Sequence, residues 1–422
     1  MPSRSEITYF GAGPALLPTE VLEDAAKALI NYQDTGLGIA EHSHRSQLAT
    51  DIINKAKADL ASCLDVPEDY EILFMHGGGT GEFSATAYNF AGAWVANKQK
   101  ELGLDSTKPE DVQKLKEVVN KDLKLDYLVT GGWSQKASAE AERLFGAEHV
   151  NIVADSRKEN GGKFGSIPDE SSWNLSKDAA LVYYCANETV DGVEFPAFPK
   201  ALEPGPDGKG PIVIADMSSN ILTQKIPVKN FSAIFFGAQK NLGPTGITVV
   251  ILKKSFLPPV TSQPSPALMR KLGLPIPPII LQYETIAKNN SLYNTLSIFD
   301  VYIIGQVLQR MLKTYPDKVA GQQAVTDKKA QLVYDAIEAY PDVYRVIPAK
   351  ATRSRVNVCF RVSKGDDVDA AEKAFLAQGT AQGLTGLKGH RSLGGIRASL
   401  YNSVPLEGAE KLAKFIRDFA TS

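Results

Sequence analysis

Lys240 stands in Ala233-Ile-Phe-Phe-Gly-Ala-Gln-Lys240-Asn-Leu-Gly-Pro-Thr-Gly246, directly after a short apolar run. A second run, Pro211-Ile-Val-Ile-Ala-Asp216, ends in an acid. Each pattern predicts a buried strand whose polar tip emerges at the carboxyl edge of an α/β sheet, where ligands bind. A lysine and an aspartate on neighbouring strand tips meet the needs of pyridoxal 5'-phosphate (PLP). The amine condenses with the cofactor aldehyde, and the acid keeps the pyridine nitrogen protonated so that the ring accepts electrons. Taken singly, the two residues read equally as a loop lysine and a helix-capping aspartate. The rest of the chain decides between these readings.

The loop Gly77-Gly-Gly-Thr-Gly81 follows the apolar run Glu71-Ile-Leu-Phe-Met75 and precedes a helical pattern. Backbone N–H groups at such a junction favour an anion. Without a lysine or P-loop spacing it is no Mg-nucleotide site. A tight turn explains it equally well alone; beside a reactive lysine, a cofactor phosphate becomes the better occupant. Trp133 follows two glycines at another strand tip and can stack on a pyridine ring or simply pack. Thr189 can donate to the phenolic oxygen of the cofactor or serve as a turn residue.

Two basic clusters complete the set, Glu41-His-Ser-His44-Arg45-Ser46 and Lys388-Gly-His390-Arg391-Ser-Leu-Gly-Gly-Ile-Arg397. The chain has 5 histidines, and His44 and His390 each directly precede an arginine. The planar guanidinium fork suits carboxylate and phosphate, and a neighbouring imidazole adds a donor. Arg45, Arg391 and Arg397 are therefore candidate substrate-anion ligands, against the alternative of exposed basic turns. His42 and His44 lack a third ligand at zinc spacing, so no metal is expected.

At 422 residues the chain is long enough for a large and a small domain. A net charge of -2 gives no general attraction to nucleic acid or to an anionic membrane. The 3 cysteines, Cys63, Cys185 and Cys359, are widely spaced and read as structural, which suits a reducing compartment. The N-terminal residues lack the apolar core of a signal peptide, and no apolar run approaches the roughly 20 residues of a membrane span. A cytoplasmic location is expected.

Strand and helix patterns alternate from residue 71 to 237, which predicts a mainly parallel sheet covered by helices on both faces. Gly246–Ile251 follows Lys240 too closely for a helical crossover and should pair antiparallel. A helix should begin with Thr19 as its cap and bury Val21, Leu22, Ala25, Ala26 and Leu29. Residues 97–126 read as a solvated helical insertion, and 257–278, with seven prolines, as an irregular loop. A long helix over 298–312 should lead into a smaller C-terminal unit with its own strands and a closing helix over 407–419. The expected division is a large domain over 16–317 and a small α+β domain over 318–422, joined by the segment 1–15.

The motifs Phe10-Gly-Ala-Gly-Pro14, Ser43-His-Arg45, His76-Gly-Gly-Gly79, Asn187-Glu-Thr189, Ala238-Gln-Lys240-Asn241, Tyr293-Asn-Thr295, Lys388-Gly-His-Arg391 and Arg397-Ala-Ser span nearly the whole chain. In these the chain resembles the phosphoserine aminotransferase family, PLP enzymes of fold type I in the class V aminotransferase group. The resemblance implies Lys240 as the cofactor lysine, Asp216 as the pyridinium partner, Trp133 on the ring and Thr189 at the phenolic oxygen. Gly79, Thr80 and Gln239 would hold the phosphate, joined by Asn294 and Thr295 from the second subunit of a homodimer. Arg397 would grip the substrate α-carboxylate. His390 and Arg391, with His44 and Arg45 from across the interface, would bind the distal phosphate or carboxylate. The implied reaction moves the amino group of L-glutamate to 3-phosphohydroxypyruvate, giving O-phospho-L-serine and 2-oxoglutarate in L-serine biosynthesis.

Three other readings compete. A cysteine desulfurase needs a reactive thiol on a mobile loop, and Cys359 lies in an alternating strand pattern. A nucleotide-binding α/β protein leaves Lys240, Asp216 and the basic clusters unexplained together. A PLP-binding regulator would not need the substrate arginines.

Overall fold

The computed structural model describes residues 3–206, 208–365 and 367–422. Apolar runs that read as buried strands are strands, because residues hydrophobic on both faces need cover on both sides. Seven of them form one sheet: Tyr70–Met75 (β2), Leu125–Val129 (β3), Val150–Asp155 (β4), Leu181–Cys185 (β5), Val213–Asp216 (β8), Ala233–Gly237 (β9) and Thr248–Lys253 (β10). Their order is β2-β10-β9-β8-β5-β3-β4. The pairs among β9, β8, β5, β3 and β4 are parallel. As expected from its short connection, β10 runs antiparallel between β9 and β2. Three smaller pairings complete the strands: Thr8–Tyr9 (β1) with Leu384–Thr385 (β13), Asn187–Glu188 (β6) with Val193–Glu194 (β7), and the sheet of Tyr344–Val346 (β11), Asn357–Val362 (β12) and Ile396–Ser399 (β14).

Helices cover both faces of the large sheet. On one side, Gln47–Leu64 (α2) and Ile298–Thr314 (α8) contribute Ile53, Leu60, Ile304 and Leu308 to a core shared with Phe74, Ile234 and Phe236. On the other, Gly78–Glu101 (α3), Pro109–Asp122 (α4), Gly132–Phe145 (α5), Pro266–Leu272 (α6) and Tyr283–Lys288 (α7) pack on Leu73, Tyr127, Tyr183 and Phe235. A third core joins Phe10 near the N-terminus to Val358, Phe360 and Phe375 and to Leu412 and Phe415. It lies among Val319–Glu338 (α9), Val368–Ala381 (α10) and Leu406–Thr421 (α11).

The structure corrects three expectations. Thr19 does not cap Thr19–Ile30 (α1); it is the first helical residue, preceded by Pro18, and its side chain makes no cap bond. The buried stripe is Val21, Ala25 and Ala28, while Leu29 is 45% exposed. Residues 257–278 are not wholly irregular, because Ser265 caps α6 and Pro266 sits in its first turn, where its missing N–H has no cost. Within 97–126, α4 is not simply solvated, since Val112, Leu115 and Val119 are buried.

Beneath the carboxyl edge of the sheet, Tyr283 Oη donates to Glu82 Oε2 at 2.8 Å, with Glu82 0% exposed. Burial pushes the Glu82 carboxyl up to about 8 from 4.5. The folded state thus prefers the protonated acid. This stabilisation is complete below the unfolded value and drains away as pH rises toward 8. Chemical denaturation of Glu82→Gln, which keeps a neutral group of the same shape, should show a shallower fall in stability between pH 5 and 8 than the parent. The difference should be up to about 1.4 kcal/mol per pH unit. Equal slopes in the two proteins would show that the carboxyl is ionised in the fold.

Candidate active site

Five strand ends converge on one cavity. β2 runs into Gly77 and α3, β3 into Gly131 and α5, β5 into Asn187, β8 ends at Asp216, and β9 leads to Gln239 and Lys240. The cavity, about 240 Å³, is lined by Gly79, Thr80, Trp133, Asp216, Gln239 and Lys240 among others. These are six of the positions singled out from the sequence. They meet because the carboxyl ends of the parallel strands all open on one edge.

Asp216 is only 5% exposed, and its Oδ1 accepts the Ser218 N–H at 2.8 Å. Burial raises its carboxyl above the usual range, while hydrogen bonds from Ser218 and the nearby Lys240 charge pull the other way. Among the described residues no cation forms an ion pair with it. The Lys240 amine lies 5.8 Å from the centroid of the Trp133 ring. Trp133 Nε1 donates to Thr189 Oγ1 at 2.8 Å, so Thr189 does not line the cavity but orients the indole that does.

The α3 terminus is built to receive an anion. Gly77 and Gly78 have φ of 112° and 64°, a region that glycine enters freely. Gly78 N–H donates to Thr248 Oγ1 at 2.8 Å. Gly79 and Thr80 follow as the second and third helical residues, where a helix leaves N–H groups without i−4 partners.

The substrate candidates lie further out. Arg397, on β14, donates from Nη1 to the Thr189 carbonyl at 2.9 Å, two contacts from the cavity through Trp133. His390 Nδ1 lies 2.6 Å from Ser392 Oγ and accepts the Ser392 N–H, which leaves Nε2 as the donor. Burial, then the Arg397, Lys136 and Arg391 charges, lower its basicity. Arg391 is exposed in the same loop. His44, Arg45, Asn294 and Thr295 do not line the cavity of this chain. His44 Nε2 is nonetheless buried with no partner among the described residues. Cys359, the thiol a desulfurase would need, is buried, and burial pushes it up to about 12. That is the opposite of an activated nucleophile.

The geometry also assigns weight to residues that sequence reasoning passed over. Glu188 and Asp191 bind the first N–H groups of α5, and Ser218 braces Asp216. Their only sequence signal was adjacency to Thr189 and Asp216, since acids default to the surface.

The match to known proteins runs the length of the chain. The family model described as aminotransferase class-V matches residues 7–103 and 112–412. The chain is 42% identical to the phosphoserine aminotransferase of Saccharomyces cerevisiae, over 99% of this chain and 98% of that protein. The chain belongs to the class-V aminotransferases, in the phosphoserine aminotransferase branch. Among solved structures, the phosphoserine aminotransferase from Bacillus circulans subsp. alkalophilus superimposes with a TM-score of 0.78 at 33% identity, covering 98% of each chain. The PLP-bound enzyme from Trichomonas vaginalis gives 0.76 at 33%, covering 97% of this chain and 99% of that one. Class-V aminotransferases use PLP, and the residues of this cavity fit it. A buried acid without a paired cation, a helix terminus with open N–H groups and a lysine amine on the same cavity suit its pyridine nitrogen, its phosphate and its aldehyde.

The shape of the α3 cradle rests on its glycines. A Cβ on Gly78 would meet nothing within 4 Å, so alanine there costs only the left-handed backbone. Gly78→Ala should lower stability by about 1 kcal/mol in denaturant titration. An unchanged midpoint would mean that the junction does not hold this conformation in solution.

Proposed function

We propose that this aminotransferase moves the amino group of L-glutamate to 3-phosphohydroxypyruvate, giving O-phospho-L-serine and 2-oxoglutarate. The observation that carries the reading is the meeting of Lys240, Asp216 and the open α3 terminus in one cavity, with the Arg397 guanidinium held behind Trp133 by the Thr189 carbonyl. PLP, when bound, supplies an aldehyde that takes up amines and a ring that accepts electrons. The N–H groups of Gly79 and Thr80, with Gln239, would hold its phosphate. Asp216 would hold a proton on the pyridine nitrogen, and Trp133, whose indole Thr189 orients, would stack on the ring.

The Lys240 amine carries the proton away from the substrate Cα and delivers it one position along, acting as base and then acid. Arg397 binds the α-carboxylate as a planar fork, which fixes the Cα–H bond to be broken. The distal group is a carboxylate in one half-reaction and a phosphate in the other. His390 and Arg391 accept both because both are anions, whereas an apolar pocket would refuse them.

The reading extends to a homodimer in the cytoplasm, serving L-serine biosynthesis. His44 and Arg45, together with Asn294 and Thr295, act across the subunit interface, where they complete the site of the other copy. None of the four lines the cavity of its own chain, which is the arrangement this reading needs. The separate core around Phe10, Val358 and Phe415 supports a small domain over 318–422, tied by the segment 1–15 to a large domain over 16–317.

Single-turnover reaction of the pyridoxamine form with 3-phosphohydroxypyruvate and with pyruvate tests the substrate. The phosphorylated acid should react far faster, and Arg391→Ala should slow both half-reactions roughly tenfold or more, the loss of a charge-assisted contact. Visible absorbance from bound cofactor should survive the substitution. Equal rates with the two keto acids would remove the phosphate from the reading.

A further inference from the structure

Two helix N-termini, those of α3 and α5, open on the same cavity, yet only one of them is available to an anion. At α3 the N–H groups of Gly79 and Thr80 are open. At α5 the first three are already taken by the chain's own carboxylates. Gly132 N–H donates to Asp191 Oδ2 at 3.0 Å, Trp133 N–H to Glu188 Oε2 at 2.8 Å, and Ser134 N–H to Glu188 Oε1 at 2.8 Å. Ser134 Oγ–H adds a fourth bond, to Glu188 Oε1 at 2.6 Å. The same hydroxyl oxygen accepts the N–H groups of Thr130 and Gly131 at 3.0 and 3.2 Å.

Glu188 is 0% exposed and Asp191 3%. Acids are buried to this degree only where hydrogen bonds replace their hydration. A carboxylate at a helix N-terminus also meets the positive end of the helix dipole. Burial pushes Glu188 up to about 7 and Asp191 up to about 6 against the pull of these bonds, so above neutral pH the segment 188–191 acts as an internal anion for α5. Between the two acids, Thr189 takes the Trp133 indole N–H on its hydroxyl and the Arg397 guanidinium on its carbonyl. The Arg397 charge also acts on Asp191. Trp133 is thus held at both ends, backbone by Glu188 and ring by Thr189, and Arg397 hangs from the same four residues.

We propose that Glu188 is a positioning residue for the reaction: through the α5 terminus it fixes the plane of the Trp133 ring, and it reserves α3 as the single anion-binding terminus of the site. This rests on the reading that the cofactor ring lies against Trp133. Glu188 touches neither cofactor nor substrate in this scheme; it acts through the indole.

The test is a double-mutant cycle read as the dissociation constant for PLP, by titration of cofactor-free protein, with thermal unfolding of each variant alongside. Glu188→Gln keeps the volume but turns one accepting oxygen into a donor facing an N–H. It should raise the dissociation constant about tenfold, the cost of leaving one buried donor without an acceptor. In a Trp133→Ala background the same substitution should change it less than about twofold, because no ring remains to be placed. Ser134→Ala, which removes the hydroxyl that bridges Glu188 to the N–H groups of Thr130 and Gly131, should weaken binding in the same direction and lose its effect in the same background. It decides the matter if Glu188→Gln does not fold.

A full, additive effect of either substitution in the Trp133→Ala background would overturn the proposal and reduce Glu188 to a general support of the fold. Unchanged PLP affinity in Trp133→Ala alone would overturn the stacking reading itself. The two failures are therefore distinguishable.

Discussion

One carboxylate governs this structure: Asp216, at the tip of a strand in the middle of a seven-stranded sheet, with 5% of its surface exposed. An ionised acid in such a place is costly unless a cation or several donors meet it. Here the Ser218 N–H and hydroxyl supply part of that, and the Lys240 charge a smaller part. What remains suits a ring nitrogen that must hold a proton. The flanking strands, the two helices that start at the cavity edge and the lysine loop all make sense as the frame that keeps this acid dry and aimed. Because parallel strands end on the same edge, the polar tips of β2, β3, β5, β8 and β9 meet without any one of them leaving its regular geometry.

The site also depends on a seam between cores. Asn187, one residue before Glu188, donates to Asn357 Oδ1 and to Ser219 Oγ, both at 2.7 Å. Asn357 in turn donates to Ser399, close to Arg397 on β14. Tyr401 Oη reaches the Ala12 carbonyl, and Asn402 N–H bonds Asn241 next to Lys240. Lys329, 0% exposed, donates to the carbonyls of Leu400, Tyr401 and Val404 at 3.0, 2.8 and 2.9 Å. Arg355 reaches buried Glu194 at 3.0 Å. These bonds couple the strand that carries Arg397 to the loop that carries Lys240, so the positions of the two residues are set by one network of buried polar groups.

How much of this was legible in the sequence follows from what each residue does. The strands of the large sheet were plain, because β5, β8 and β9 are apolar along their whole length and bury both faces. Lys240 and Asp216 were found because chemistry at a strand tip leaves a polar residue after an apolar run, Gly79 and Thr80 from the glycine loop, Trp133 from its place after two glycines, and Gln239 through the family resemblance alone. Helix α9 was invisible for a related reason. After Val319, the first half of its inner face carries Gln322, Thr326 and Lys329, all buried, so the apolar stripe is confined to Ala330, Val333, Ala336 and Ile337 near its end. Helix α6 was hidden behind prolines that in fact start it. Glu188 and Asp191 were missed because their role depends on a contact with a helix some fifty residues away, which no local pattern records.

The most direct test of the central claim is the ¹⁵N chemical shift of the pyridine nitrogen in the protein loaded with ¹⁵N-labelled PLP, compared between the parent and Asp216→Asn. If Asp216 holds the proton, the parent should give the shift of a protonated ring from pH 6 to 9, and the variant that of a neutral one. A neutral nitrogen in the parent, or a protonated one that survives the substitution, would contradict this account.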